Sequence, residues 1–140
     1  MNIDLFLDTC VLSDRSFVGW LMEEGKGARL FVSSVVYMER RRQLLRHHRD
    51  VDDLERLIKK AGIRVVPFDK GNAITASELM SGQPKVCTCC GKLDWTDAMI
   101  LANTGNPPRV LVTRNVRDFI PYSDGAYIRT PDEVRQMISS

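Results

Sequence analysis

A chain of 140 residues is long enough to bury one core of ordinary size and too short for two independent ones, so a single domain over 1–140 is expected. Hydrophobic residues at 44%, charged residues at 27% and a formal net charge of +2 are those of a soluble globular protein, and they make no strong overall demand for a polyanionic partner. No apolar run approaches the roughly 18 residues that span a bilayer, and the start MNIDLFLDTC carries acids where a secretory signal carries bases, so a cytoplasmic protein without membrane association is expected.

Ile3 to Leu7 is a short apolar run that stops at Asp8-Thr9, the pattern of a buried strand delivering polar side chains at its carboxyl end. Ser13 or Asp14 supplies the cap of a helix through Phe17, Trp20, Leu21 and Met22, which Gly25 and Gly27 stop. Leu30 to Val32 reads as a second strand. Ser33 or Ser34 then opens a helix carrying Val35, Val36, Glu39, Leu44 and Leu45, and Asp50 caps another through Leu54, Leu57 and Ile58 that Gly62 closes. Ile63 to Phe68 is a third strand and Asp69 begins a helix to about Met80. A loop containing Gly, Pro and Cys follows, after which Asp94 caps a helix through Ala98, Met99, Leu101 and Ala102. Val110 to Val112 is a fourth strand. Thr130-Pro131-Asp132-Glu133 joins a capping Thr, a Pro at the first helical position and a Glu that completes a capping box, so a final helix is expected. Short, uniformly apolar strands separated by helices make a parallel sheet covered on both faces, an α/β/α sandwich. Ligands of such sheets bind outside the carboxyl ends of the strands.

Acids gather at those ends. Asp8 follows the first strand; Thr113, Asn115 and Asp118 follow the fourth; Asp94 and Asp97 stand in the first turn of the helix before it. Glu39 shares the inward face of Val35 and Val36 and is expected at the rim of the core. Singly, each Asp reads as a turn or cap residue that favours a helix dipole. Together, several carboxylates repel one another in a half-buried place, and a divalent cation removes that cost. Oxygen ligands without His or Cys favour Mg²⁺ or Mn²⁺ over Zn²⁺, and such sites activate water against a phosphodiester.

Four segments occur in a telling order: LFLDTCVLSD at Leu5 to Asp14, SSVVYMERRRQL at Ser33 to Leu44, DAMILA at Asp97 to Ala102, and LVTRNVRDF at Leu111 to Phe119. With them the chain resembles the PIN-domain nucleases and, within these, the toxins of the VapC type. VVPFDKGNA at Val65 to Ala73 and the closing TPDEV are similar to the family's intervening and final segments. The resemblance implies a PIN-like three-layer α/β/α sandwich with a central, mostly parallel sheet of four to five strands. It also implies a Mg²⁺-dependent endoribonuclease, Mn²⁺ being the other ion, that leaves 5′-phosphate ends. The family's acids correspond here to Asp8, Glu39, Asp97 and a last polar position after the fourth strand, with Thr9, Thr113 and Asp94 in support. Glu39 either binds metal or takes a proton from water. That last position stays open: Asn115 stands where the wider family has an acid, and Asp118 supplies one three residues later. Asn115 offers a carbonyl oxygen but no charge. VapC-like toxins pair with an antitoxin and dimerise, so RNA, an antitoxin protein and a second copy are the implied partners.

Arg40, Arg41, Arg42, Arg46, His47, His48 and Arg49 follow Glu39 directly. Helical spacing sets Arg42, Arg46 and Arg49 on one face, where they and Arg114 are candidates for RNA phosphate contact. A solvated surface, or a contact for an acidic partner, is the other reading. Cys87, Cys89 and Cys90 lack the spacing of paired zinc knuckles and are expected as thiols in a loop, and Cys10 is expected to pack near Asp8 without chemistry. Two competing classes remain. A haloacid-dehalogenase-like phosphatase needs a second Asp where Cys10 stands. A non-catalytic or RNA-processing PIN scaffold is suggested by Asn115.

Overall fold

The computed structural model describes residues 3–82, 95–105, 108–122 and 127–140. Among them the chain runs β1 (Ile3–Leu7), α1 (Thr9–Leu12), α2 (Arg15–Glu24), β2 (Ala28–Ser33), α3 (Ser34–Arg46), α4 (Asp52–Ala61), β3 (Arg64–Val66), α5 (Lys70–Gly82), α6 (Thr96–Thr104), β4 (Val110–Val112), α7 (Val116–Phe119), a 3-10 turn (Ile120–Tyr122), β5 (Ile128–Arg129) and α8 (Pro131–Ser139). The sheet has five strands in the order β3-β2-β1-β4-β5. Every pairing is parallel, and helices flank the sheet as the α/β/α sandwich requires.

β1 takes the centre because it is apolar on both faces: Leu5, Phe6 and Leu7 are all buried, as a parallel strand covered by helices on two sides must be. Leu5 lies opposite Leu30 on one side and Val110 on the other. Phe6 stacks on Phe31 with ring centroids 5.0 Å apart. Burying a large side chain of this kind contributes about 1.5–3 kcal/mol. From β1 the chain steps outward to β2 and β3 on one side, then returns to β4 and β5 on the other. The strand order therefore reverses between β1 and β4, and the crevice outside their carboxyl ends is where such sheets bind ligands.

Helix ends follow the local chemistry. Asp14 caps α2 by accepting from the Phe17 N–H at 3.1 Å. Asp69 and Asn72 exchange side-chain to backbone hydrogen bonds at 2.8 and 3.0 Å where α5 begins. Gly62 ends α4 in the left-handed conformation, φ 66°, which costs Gly nothing. The Thr130–Glu133 capping box opens α8 in full.

Several elements depart from the sequence expectation. α1, α7 and β5 are four, four and two residues long, too short for hydrophobic periodicity to register. β3 stops at Val66 rather than Phe68: Pro67 has no N–H for a ladder, and the Phe68 N–H donates instead to Ser34 Oγ at 3.0 Å. Val51, not Asp50, occupies the N-cap position of α4, although Asp50 Oδ1 accepts from the Asp52 N–H at 2.9 Å. α3 ends at Arg46. There His48 turns left-handed at φ 54°, with its N–H donating to Leu45 O and that of Arg49 to Leu44 O. This paired closure reverses the chain, so Arg49 leaves the helical face that its spacing from Arg42 and Arg46 predicts. Asp94, Cys87, Cys89 and Cys90 lie outside the described residues. Among the described residues no helix is long and apolar enough to cross a membrane.

Candidate active site

Asp8 leaves β1 at the switch point and is 93% shielded from solvent, its relative exposure being 7%. A buried carboxylate needs hydrogen-bond donors, and it has them on both oxygens. The Thr9 N–H donates to Oδ1 at 2.8 Å, which makes Asp8 the cap of α1, and the Thr113 hydroxyl donates to Oδ2 at 2.7 Å. Cys10 Sγ stands 3.8 Å from the same Oδ2. Thr113 follows β4 and is fully buried. Its N–H is tied to Arg129 O at 2.9 Å, and its Oγ1 accepts from the Asn115 N–H at 3.0 Å. One hydroxyl thus fixes Asp8 and the backbone of Asn115 together.

Glu39 reaches the same place from α3. Its Oε1 accepts from Thr9 Oγ1 at 2.9 Å, so consecutive residues Asp8 and Thr9 connect to carboxylate and hydroxyl partners from two distant segments. Asp97 enters from the first turn of α6. Asp8, Glu39, Asp97, Asn115, Thr9, Cys10, Ser13, Gln43 and Ile100 line one recess of ≈ 400 Å³. Asn115 sits at the N-cap of α7 but its side chain makes no capping hydrogen bond. Among the described residues the lining includes three acids and no Lys, Arg or His, so the recess favours a cation. Carboxylates and an amide without imidazole are the donor set of a hard divalent ion such as Mg²⁺ or Mn²⁺. The three acids share the recess without converging on one point: among the described residues no group of three or more His, Cys, Asp and Glu side chains is placed to hold a metal ion.

The remaining candidates lie elsewhere. Asp118 is half-buried on α7, its N–H donating to Asn115 O at 2.9 Å, and it does not line the recess. Arg42 and Arg46 are exposed on α3. Arg49, beyond the helix end, lines a separate groove. Arg114 forms an ion pair with Asp14; this guanidinium, then the Phe17 N–H, holds the Asp14 carboxyl below its usual range. Gln43 and Ser13 belong to the recess lining, whereas the sequence offers Ser13 only as a helix cap and Gln43 no role. Gln43 was detectable, because it stands one helical turn after Glu39 on the same face. Cys10, expected near Asp8, packs directly against its carboxylate and also faces the recess. The Thr9–Glu39 bond joins residues 30 apart and has no local signature.

The model of one family, the PIN domain, matches residues 5–104. No curated protein is similar enough in sequence to match the chain. Among solved structures, a toxin–antitoxin complex from Klebsiella pneumoniae is similar with a TM-score of 0.60 at 22% identity, over 91% of this chain and 97% of that one. VapBC2 from Rickettsia felis, bound to a DNA fragment from its promoter, is similar with a TM-score of 0.61 at 17% identity, over 91% and 98%. At these identities the likeness is one of fold.

Proposed function

The chain belongs to the PIN domain family, and from that premise we propose that it is a metal-dependent endoribonuclease, the toxin of a toxin–antitoxin pair. The observation that carries the reading is the recess at the switch point, into which Asp8, Glu39 and Asp97 come from three separate segments with no cation among the described lining residues. These three acids would hold Mg²⁺ or Mn²⁺, and the Asn115 amide would take the last place, because Asn115 lines the recess and Asp118 does not. When bound, the ion supplies a water of lowered pKa and stabilises the leaving oxygen of a phosphodiester.

The chain's own residues do the rest. The Thr9 N–H and Thr113 O–H fix the direction of the Asp8 carboxylate. The Thr9 hydroxyl orients Glu39, which either shares in holding the ion or takes the proton that the attacking water gives up. Cleavage in this sense leaves 5′-phosphate ends. The fold shared with two structures of toxin–antitoxin systems supports an antitoxin as partner. A homodimer and a cytoplasmic location complete the reading.

The test is incubation of purified protein with structured RNAs, in Mg²⁺ or in chelator, beside Asp8→Asn. Cleavage is expected in Mg²⁺ only, and the variant should be slower by on the order of 10²-fold or more. Cleavage that persists in chelator or in Asp8→Asn removes the metal mechanism. Asn115, uncharged where the family's acid stands, favours a second reading, a non-catalytic scaffold that binds RNA; the parent protein would then bind RNA and cut none.

A further inference from the structure

A second depression lies on the other side of α3. Leu12, Leu44 and Leu54 are buried at its floor, and Arg15, Arg40, Arg49 and Lys60 line it. Its volume, ≈ 370 Å³, falls in the ~300–1,000 Å³ range of small-ligand sites and is too small for a duplex. Among the described residues Asp53 is the one acid in the lining, and it is already paired with Arg56. Among the described residues, none of the four cations forms a salt bridge. Arg40 is half-buried; burial, then the neighbouring charges of Arg49 and Arg15, disfavour its protonated form. A half-buried guanidinium beside two others is stabilised by an anion between them.

The groove borders the acidic recess. Ser13 lines both. α3 separates them and serves each with one pair a turn apart: Glu39 and Gln43 on the recess side, Arg40 and Leu44 on the groove side. Arg40 donates across the helix to Gln43 Oε1 at 3.1 Å. A ligand that lies in both depressions must carry anionic groups where the cations are, an apolar face over the leucine floor, and another phosphodiester against the carboxylates. Single-stranded RNA has all three.

We propose that this groove is a nucleotide subsite holding the RNA strand next to its scissile phosphate, with a backbone phosphate among Arg15, Arg40 and Arg49 and a base over Leu12, Leu44 and Leu54. The inference rests on the ribonuclease reading and adds to it the residues that bind the flanking nucleotide. They are not the Arg42 and Arg46 that helical spacing selects.

The experiment measures binding of a fluorescein-labelled, mixed-sequence single-stranded oligoribonucleotide by anisotropy, with chelator present and over a series of salt concentrations. Arg40→Gln and Arg49→Gln are compared with the parent and with Arg42→Gln and Arg46→Gln. Each groove variant should bind about tenfold more weakly, with a log–log salt slope shallower by about 0.7; the two helix variants should stay within about twofold, as exposed charges away from a contact do. Arg49 is exposed and beyond α3, so Arg49→Gln should melt with the parent and keep the comparison clean. If the parent binds and cuts RNA while both groove variants keep its affinity and slope, the inference falls and the ribonuclease reading stands. If the parent neither binds nor cuts RNA, both fall. Binding of poly-glutamate that depends on Arg40 and Arg49, with RNA binding indifferent to them, makes the groove a docking site for an acidic protein and overturns the inference.

Discussion

The two depressions on either side of α3 are built from the same helix and are opposite in almost every respect. The recess holds its acids by directed hydrogen bonds: both oxygens of Asp8 and one of Glu39 are fixed by threonine donors. The groove holds its cations by nothing comparable. Arg40 has a glutamine acceptor, and Arg49 is aimed by a backbone reversal at His48. Each arrangement suits a different kind of ligand. Groups that must meet a small, hard ion are pre-positioned, because misplacement is costly. Groups that meet a flexible polyanion need proximity more than direction.

The sharpest way to break this contrast is to remove the threonine on the recess side. Thr113→Val leaves Asp8 Oδ2 and the Asn115 N–H without the hydroxyl between them. RNA cleavage should fall about 10–100-fold, and stability in urea by about 1–3 kcal/mol. Equal cleavage by the variant would show that Asp8 needs no fixing.

A smaller effect is expected at the groove rim. His48→Gly relieves a left-handed backbone at φ 54° and should raise stability by up to about 1 kcal/mol, read as an increased melting temperature, with cleavage unchanged. A destabilised variant would mean that the His48 side chain, rather than the turn, holds Arg49 in place.

The smallest effect concerns the ion pair of Arg114 and Asp14, neither of which lines either depression. Arg114 is the main cause of the lowered Asp14 pKa. A depressed carboxylate adds stability that is present above its unfolded value, about 3.9, and is lost as pH falls through the lower folded value. Because Arg114 is half exposed, Arg114→Gln should cost less than about 1 kcal/mol at neutral pH. The two proteins should converge in stability as pH drops below about 4. Divergence on acidification would reverse the assignment.

How far the residues alone disclose this molecule depends on the distance over which each signal acts. The apolar run of β1, the Thr130–Glu133 box and the left-handed Gly62 are local and were legible. So was the inward placement of Glu39, because Val35 and Val36 set the helix phase. α1 and β5 were hidden by brevity. Helical spacing misplaces Arg49 for one physical reason: it continues the helix through His48, where the backbone changes hand. Asn115 and Asp118 could not be separated by spacing, since both follow β4; a four-residue helix turns one toward the recess lining and the other away from it.

The bond from Thr113 to Asp8 spans 105 positions of sequence and so has a meaning in time. A growing chain exposes Asp8 first, then Glu39 and Asp97, and only afterwards the hydroxyl that steadies the earliest of them. β4 must also find β1 on the far side from β2, a pairing of high sequence separation that forms slowly. An unfinished chain therefore carries every acid of the proposed cutting centre in unassembled form. On the proposed reading, cutting would therefore wait until the last strands join the sheet.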